Sequence, residues 1–248
     1  VLKRAPSVRT NSSLIKDKLV KEFPKIPDLG ILPRRLNADE IIRKPRTNLL
    51  KHKYPQYVFT MLAAGILDQD STIFRTIDAG RTLLHSPRIA LVVVGNGPMK
   101  AEFQNRTEIL GISKQVIFET DTTLLEDYML SADLFICTDT TAIGDEYVIQ
   151  AAAAGLPIVM AKTPMREELF VDGESCLFND ADDTIGFTQK LNTILNTNAF
   201  RLQFGTNAKL VVKERLQTDP NLYRIAYRDS IEVIFGKSER PDSEIERE

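Results

Sequence analysis

The chain has 248 residues, 43% hydrophobic and 27% charged, with a formal net charge of −2. That length holds one core of roughly 150 to 200 residues plus appendages, and the near-balanced charge gives no electrostatic case for nucleic acid or an anionic membrane. No apolar run reaches the roughly 20 residues of a bilayer-spanning helix and no signal-peptide pattern opens the chain, so no transmembrane segment is expected; peripheral membrane contact is left open. The sequence begins at Val1 in mid-pattern, without Met, and reads as a fragment.

Taken in order, Ser7 to Thr10 is a short strand-like step, and Asn11 or Ser12 caps a helix to about Phe23 with Ile15, Leu19 and Phe23 on one face. Pro24 and Pro27 stop it, and Gly30 to Leu32 is a second short strand. Residues 34 to 55 turn basic, with Arg34, Arg35, Arg43, Lys44, Arg46, Lys51 and Lys53. This stretch is expected to be a solvated linker in preference to a basic patch facing phosphates.

From Tyr57 strands and helices alternate. Strands are predicted at Tyr57–Leu62, Ile89–Val94, Val116–Phe118, Leu134–Cys137, Ile158–Met160 and Cys176–Phe178. Helices fall between them at about Asp70–His85, Met99–Leu110, Thr123–Leu130 and Asp145–Ala154. Continuous apolar strands of this kind imply a parallel sheet covered on both faces. The end of the chain reads as helices over Asp182–Leu195, Phe200–Leu216 and Pro220–Phe235, followed by a charged tail expected to be disordered. The domains are therefore drawn as 1–55, 56–218, a helix at 219–236 and a tail at 237–248.

The densest signal lies in residues 132 to 162, where a buried strand leads through a loop with Gly144 into an Ala-rich helix closed by Gly155 and Pro157. The loop then sits at the carboxyl end of a parallel strand, over a helix N-terminus that favours an anion. Cys137 and Cys176 fit a reducing, cytoplasmic setting in preference to a disulfide or a metal pair. His52 and His85 fall in linker and helix-end sequence and read as solvated.

With these pieces in place the sequence resembles the C-terminal, nucleotide-sugar-binding half of a GT-B glycosyltransferase of the retaining family 4. The landmarks are Gly65 with Leu67, Val94-Gly95-Asn96-Gly97-Pro98, Ala132-Asp133, Ala151 to Val159, and Gly173-Glu174. The resemblance implies an α/β fold: a doubly wound, parallel, six-stranded Rossmann-like sheet, one half of a GT-B fold, with a helical C-terminal extension. Residues 1–37 resemble the end of the N-terminal half, whose acceptor-binding bulk is absent, and the helix near Tyr223–Phe235 resembles the one that crosses back to it.

The resemblance also implies a site and marks departures from it. The family's Arg and Lys, which face the donor diphosphate, fall on Ile66 and Ser71; Arg75 lies one turn past Ser71, where a surface pairing with Asp78 is the plainer expectation. The family's paired glutamates fall on Ala142 and Gln150, and Gln150 keeps an oxygen acceptor for a ribose without charge assistance. Asp145 places a carboxylate where phosphate would dock and would itself cap the helix. The Gly95-Asn96-Gly97 loop is intact, though a tight turn into a helix explains it equally well. The loop carrying Thr120 and Thr122 would present backbone groups to the base, with Thr120 where the family commonly has glycine.

The binding residues so implied are Gly65, Arg75, Gly95, Asn96, Gly97, Thr120, Thr122, Gly144, Asp145 and Gln150, with no metal and no assigned catalytic residue. The expected ligand is a UDP- or GDP-linked nucleoside-diphosphate sugar as substrate, with no separate cofactor. The expected partner is an N-terminal GT-B half in the same or another chain. Three readings stay open: a hexosyltransferase donor half, an inactive GT-B module used for binding or assembly, and a sugar-nucleotide epimerase of the same architecture.

Overall fold

The computed structural model describes residues 7–10, 13–25, 29–32, 38–216 and 219–235. The chain divides into two units, one made of 1–35 with 217–248 and the other of 36–216. In the first, β1 (Val8–Thr10) and β2 (Leu29–Ile31) pair in parallel around α1 (Ser13–Glu22). Arg9 of β1 donates from Nε to Ser230 Oγ and from Nη2 to the Ser230 carbonyl, each at 2.6 Å, and so ties the strand to the last helix, Pro220–Phe235. The segment 33–37 and the charged tail 237–248 lie outside the described residues.

The second unit opens with α2 (Asp39–Arg43) and α3 (Leu49–Lys53), and then alternates. Its strands are β3 (Phe59–Ala64), β4 (Ile89–Val94), β5 (Val116–Glu119), β6 (Leu134–Cys137), β7 (Ile158–Ala161) and β8 (Leu177–Asn179). Between them run α4 (Ile73–Leu84), α5 (Lys100–Ile109), a 3-10 turn (Thr122–Leu124) leading into α6 (Leu125–Met129), α7 (Ala142–Ala153) and α8 (Pro164–Leu169). The unit closes with α9 (Thr184–Asn196) and α10 (Asn198–Arg215), and Pro220–Phe235 is α11. The strand order β5-β4-β3-β6-β7-β8, parallel throughout, is the doubly wound sheet the sequence implies.

The apolar strand sequences place this sheet because successive side chains leave it on opposite faces. Met61, Ala63, Leu91, Val93, Leu134, Ile136, Val159 and Ala161 enter one core with residues of α4, α5 and α9. Their neighbours Leu62, Ala64, Val92, Val94, Phe135, Cys137, Ile158 and Met160 enter the other with α6, α7 and α10. Each fully buried Leu, Ile or Phe contributes about 1.5–3 kcal/mol, so both layers are needed to hold the sheet. Alanines make α7 thin enough to be buried on most sides. Gly155, at φ 74°, then turns the chain out of that helix in the left-handed conformation that Pro157 follows.

The basic stretch before Tyr57 differs from its expectation as a solvated linker. Ile41 and Leu50 are buried in the core beside α6 and α7, because α2 and α3 each offer one apolar side to it. Two of the five described cations there, Lys44 and Lys53, are paired. Lys44 Nζ lies 3.1 Å from Glu40 and 2.5 Å from Glu126. Lys53 Nζ lies 2.5 Å from Glu119 Oε1 and donates to the buried Tyr128 hydroxyl at 2.8 Å, and the Tyr54 hydroxyl donates to the same Glu119 oxygen. Burial alone would push the Glu119 carboxyl up, but the bonds from Lys53 and Tyr54 outweigh it and hold it below its ordinary 4.5. Burial and Glu119 push the Tyr54 hydroxyl up to about 12.

A depressed carboxyl stabilises the fold fully above its unfolded pKa and loses that contribution as pH falls through the folded one. Glu119→Gln is therefore expected to lower the urea midpoint at pH 7, with the two midpoints converging as pH drops below 4.5. Equal midpoints at pH 7 would show that the Lys53–Glu119–Tyr54 cluster does not hold α3 to the sheet.

Candidate functional site

Strand order reverses between β3 and β6, which pair at Met61–Leu134 and Leu62–Phe135. The chain leaves β3 toward β4 and β5 and leaves β6 toward β7 and β8, so the loops beyond their carboxyl ends part and open a crevice. Three threonines join the end of β6 to the start of α4. The Thr138 hydroxyl, just past β6, donates to the Thr72 carbonyl at 2.9 Å, and Thr76 Oγ1 of α4 lies 2.9 Å from it.

On the β3 side the loops are joined along their backbones. Gly65 N donates to Val94 O at 3.1 Å, Leu67 N to Asn96 O at 3.0 Å, and Met99 N to Leu67 O at 2.9 Å. A Cβ on Gly95 would lie 1.9 Å from the Gly65 carbonyl oxygen, and one on Gly97 2.2 Å from that of Leu67. Close approach of the two loops thus accounts for both glycines. Asn96, exposed between them, accepts from Gly97 N at 2.9 Å.

On the β6 side the helix starts earlier than the sequence suggests, at Ala142, and Gly144 lies in its first turn. Thr141, not Asp145, is the cap, accepting from Gly144 N at 3.3 Å. Asp139 in turn accepts from Thr141 N at 2.7 Å and from Thr141 Oγ1 at 2.9 Å, so a carboxylate already stands at the amino end of α7. Asp145 turns inward, where Arg166 Nε donates to its Oδ1 at 2.8 Å. Arg166 of α8 has no exposed surface; its Nη1 donates to Ala161 O at 2.8 Å and its Nη2 lies 3.5 Å from Cys137 Sγ. A Cβ on Gly144 would meet Asp139 at 2.9 Å and Arg166 at 3.0 Å, so this glycine is required by packing.

The other expected residues take varied positions. Ile66 is half-exposed in the loop after β3, and Ser71 lies in the turn before α4. Arg75 pairs with Asp182 at 2.8 Å, whereas Asp78, its expected neighbour, pairs with Arg106 at 2.9 Å. Thr120 and Thr122 are exposed beyond β5, next to Asp121, which caps the 3-10 turn through Thr123 N. Ala142 is exposed, and Gln150 is half-buried, its side-chain amide without a hydrogen bond among the described residues.

Sequence reasoning missed three participants. Lys162, just past β7, pairs with Asp180 at 3.2 Å on the same carboxyl edge as Arg75. Arg166 carries no signal in the sequence because only the fold brings it to Gly144, whereas Asp139 reads there as the polar end of the strand and reaches Gly144 through the local turn at Thr141. Both cysteines are free and buried, and burial pushes the Cys137 thiol up to about 11, so it stays protonated and unreactive at neutral pH. Among the described residues no group of three or more His, Cys, Asp or Glu is placed to hold a metal ion.

Removing one partner of a buried pair leaves an uncompensated charge, so Asp145→Ala is expected to cost about 3–5 kcal/mol in urea unfolding. A loss below about 1 kcal/mol, the size of a surface pair, would show that Arg166 does not depend on Asp145.

A family model described as glycosyl transferases group 1 matches residues 50–211. The chain is 25% identical over 203 residues to the chitobiosyldiphosphodolichol beta-mannosyltransferase of Debaryomyces hansenii, covering 75% of this chain and 41% of that protein. It is 29% identical over 121 residues to a Vi polysaccharide biosynthesis protein of Salmonella typhi, covering 48% of this chain and 21% of that one. It thus spans less than half the length of either relative.

Among solved structures, sucrose-phosphate synthase from Thermosynechococcus elongatus superposes with a TM-score of 0.77 at 17% identity over 95% of this chain and 60% of its own. An Anabaena protein crystallised with UDP and glucose gives 0.74 at 16% identity, covering 94% and 64%. The C-terminal domain of a group 1 glycosyl transferase from Francisella tularensis gives 0.61 at 18%, covering 69% and 94%. Those identities speak for the fold alone, while the family model spans well over half of the sequence: the chain belongs to the glycosyl transferases group 1 family, and its six-stranded unit has the Rossmann-like form of a GT-B C-terminal domain.

Proposed function

We propose that the carboxyl-edge crevice binds a nucleoside-diphosphate sugar, UDP- or GDP-linked, as donor for transfer to an acceptor held by an N-terminal GT-B half in the same or another chain. The observation that carries this reading is the convergence at the topological switch of the loops after β3, β4 and β6, in a chain of this family. Asp145 offers no net repulsion to a diphosphate, because Arg166 neutralises it. Arg75 and Lys162 sit on the same edge in exposed pairs with Asp182 and Asp180. Exposed pairs are worth about 0–1 kcal/mol, so either cation can exchange its aspartate for a phosphate. Gln150 is the ribose-contacting residue in this reading, and Thr120 and Thr122 flank the base. The setting is carbohydrate biosynthesis in the cytoplasm.

A second reading, an inactive module kept for binding or assembly, is favoured by a specific observation. Ile66, Ser71 and Ala142 stand where the resemblance implies charged residues, and Asp139 places a carboxylate at the amino end of α7. Each lost charge-assisted bond is worth about 1.5–3 kcal/mol. Transfer chemistry then depends on groups that the other half brings on closure.

Calorimetric titration with UDP-glucose and GDP-mannose separates the two; the mannose arm is chosen because the Debaryomyces relative is named a mannosyltransferase. The donor reading expects saturable binding that weakens by about fivefold in Gln150→Ala and again in Arg75→Ala, as one hydrogen bond and one exposed charge predict. No binding by a complete two-domain protein would overturn it in favour of the inactive module.

A further inference from the structure

At the opposite edge of the sheet, where the strands begin, a cavity of about 660 Å³ opens between α10, the α7–β7 turn and the segment after α2. Its floor is a close contact between two backbones. A Cβ on Gly205 would meet the Gly155 carbonyl oxygen at 2.2 Å, and Gly155 itself, at φ 74°, is held to glycine. α10 therefore rests directly on the end of α7, and the space above the contact stays open.

The charge around this space is one-sided. Arg46, Arg201, Lys209 and Lys213 line it, against the single carboxylate of Asp133. Asp133 is committed elsewhere, its Oδ2 accepting from Thr60 N at 2.8 Å and from Thr60 Oγ1 at 3.2 Å. None of the four cations makes an ion pair among the described residues. The two arginines are held by backbone carbonyl oxygens, and Arg201 also by Asn198 Oδ1 at 3.1 Å and the ring of Phe59. Arg46 donates to Met129 O at 3.3 Å and to Ala132 O, and Arg201 Nη1 donates to Ile194 O at 2.9 Å and Leu195 O at 2.6 Å. Both guanidinium groups are thus placed in advance, with Asp133 the one carboxylate whose charge bears on Arg46. Burial, and then Arg46 nearby, push the Lys209 ammonium below its ordinary value, as expected where like charges crowd.

The rim is apolar. Leu202 is 68% exposed and Leu210 47% exposed on α10, next to the lysines, and Ile42 faces them from α2. A bare anion would leave that surface in water; a ligand with an apolar body would cover it.

We propose that this cavity is a second ligand site, separate from the crevice at the carboxyl edge, and that it takes a phosphate monoester carried on an apolar body. The phosphate oxygens would accept from Lys209, Lys213 and the outer edges of the arginines, and the carrier would lie against Leu202 and Leu210. A soluble phosphorylated metabolite and a phosphomonoester lipid headgroup share this chemistry.

The test uses phenyl phosphate as probe in calorimetry on the 248-residue chain, and vesicles of phosphatidylcholine with or without phosphatidic acid in sedimentation. Saturable binding of phenyl phosphate, weakened by about tenfold or more in Lys209→Gln/Lys213→Gln, is the expected result, as two charge-assisted bonds predict. Cosedimentation that requires phosphatidic acid and fails in the variant would support the site with a lipid headgroup as its source. Soluble binding without cosedimentation would support a metabolite. Lys213→Glu, a change at an exposed position, must also weaken whichever probe binds, with an unaltered melting temperature. Absence of binding by either probe, binding unchanged in both variants, or displacement of phenyl phosphate by UDP would overturn the proposal. Failure of sugar-nucleotide binding at the other edge would leave it standing.

Discussion

The structure depends on a constraint of handedness. A parallel strand can be followed by another only through a crossover, and the crossover takes one hand in nearly all proteins. Here α4 and α5, which carry the chain outward from β3, pack on one face of the sheet; α7, which carries it outward from β6 in the other direction, packs on the opposite face. Opposite direction and opposite face preserve a single hand. The same arrangement leaves a parting of loops at the carboxyl ends of β3 and β6, and ligands of open α/β sheets bind at such a parting.

Two kinds of interaction then fix the walls of that parting. On the β3 side backbone meets backbone, and Gly95 and Gly97 are there because any side chain would strike a carbonyl oxygen. On the β6 side a charge is buried: Arg166 lies beneath the first turn of α7 with Asp145, Ala161 O and Cys137 Sγ around it. Such a pair contributes less through its own attraction than through the penalty of breaking it. It fixes α8 against α7 and removes the charge of Asp145 from the site.

The two edges of the sheet differ in electrostatic character. At the carboxyl edge Arg75 and Lys162 are both paired with exposed aspartates, and Asp139 stands at the helix start. At the amino edge four cations surround a cavity with one committed carboxylate. A formal net charge of −2 over the chain conceals this separation, because summed charge says nothing of where like charges gather.

The sequence by itself determined the sheet. Runs such as Ile89–Val94 and Leu134–Cys137 admit burial on both faces only, and the order of strand, helix and glycine left one architecture that fits. The family was legible for the same reason, since its landmarks are glycines and alanines that the packing requires. Tertiary structure alone decided the charges. Arg166 is twenty-one residues from Asp145, and Lys53 sixty-six from Glu119; no periodicity relates them, and each pair exists only because two elements pack. The linker that proved to be α2 and α3 shows the same limit. Two adjacent apolar residues per short helix, Ile41 with Ile42 and Leu49 with Leu50, give no periodic pattern along the chain, yet they suffice when a neighbouring core offers a place for them.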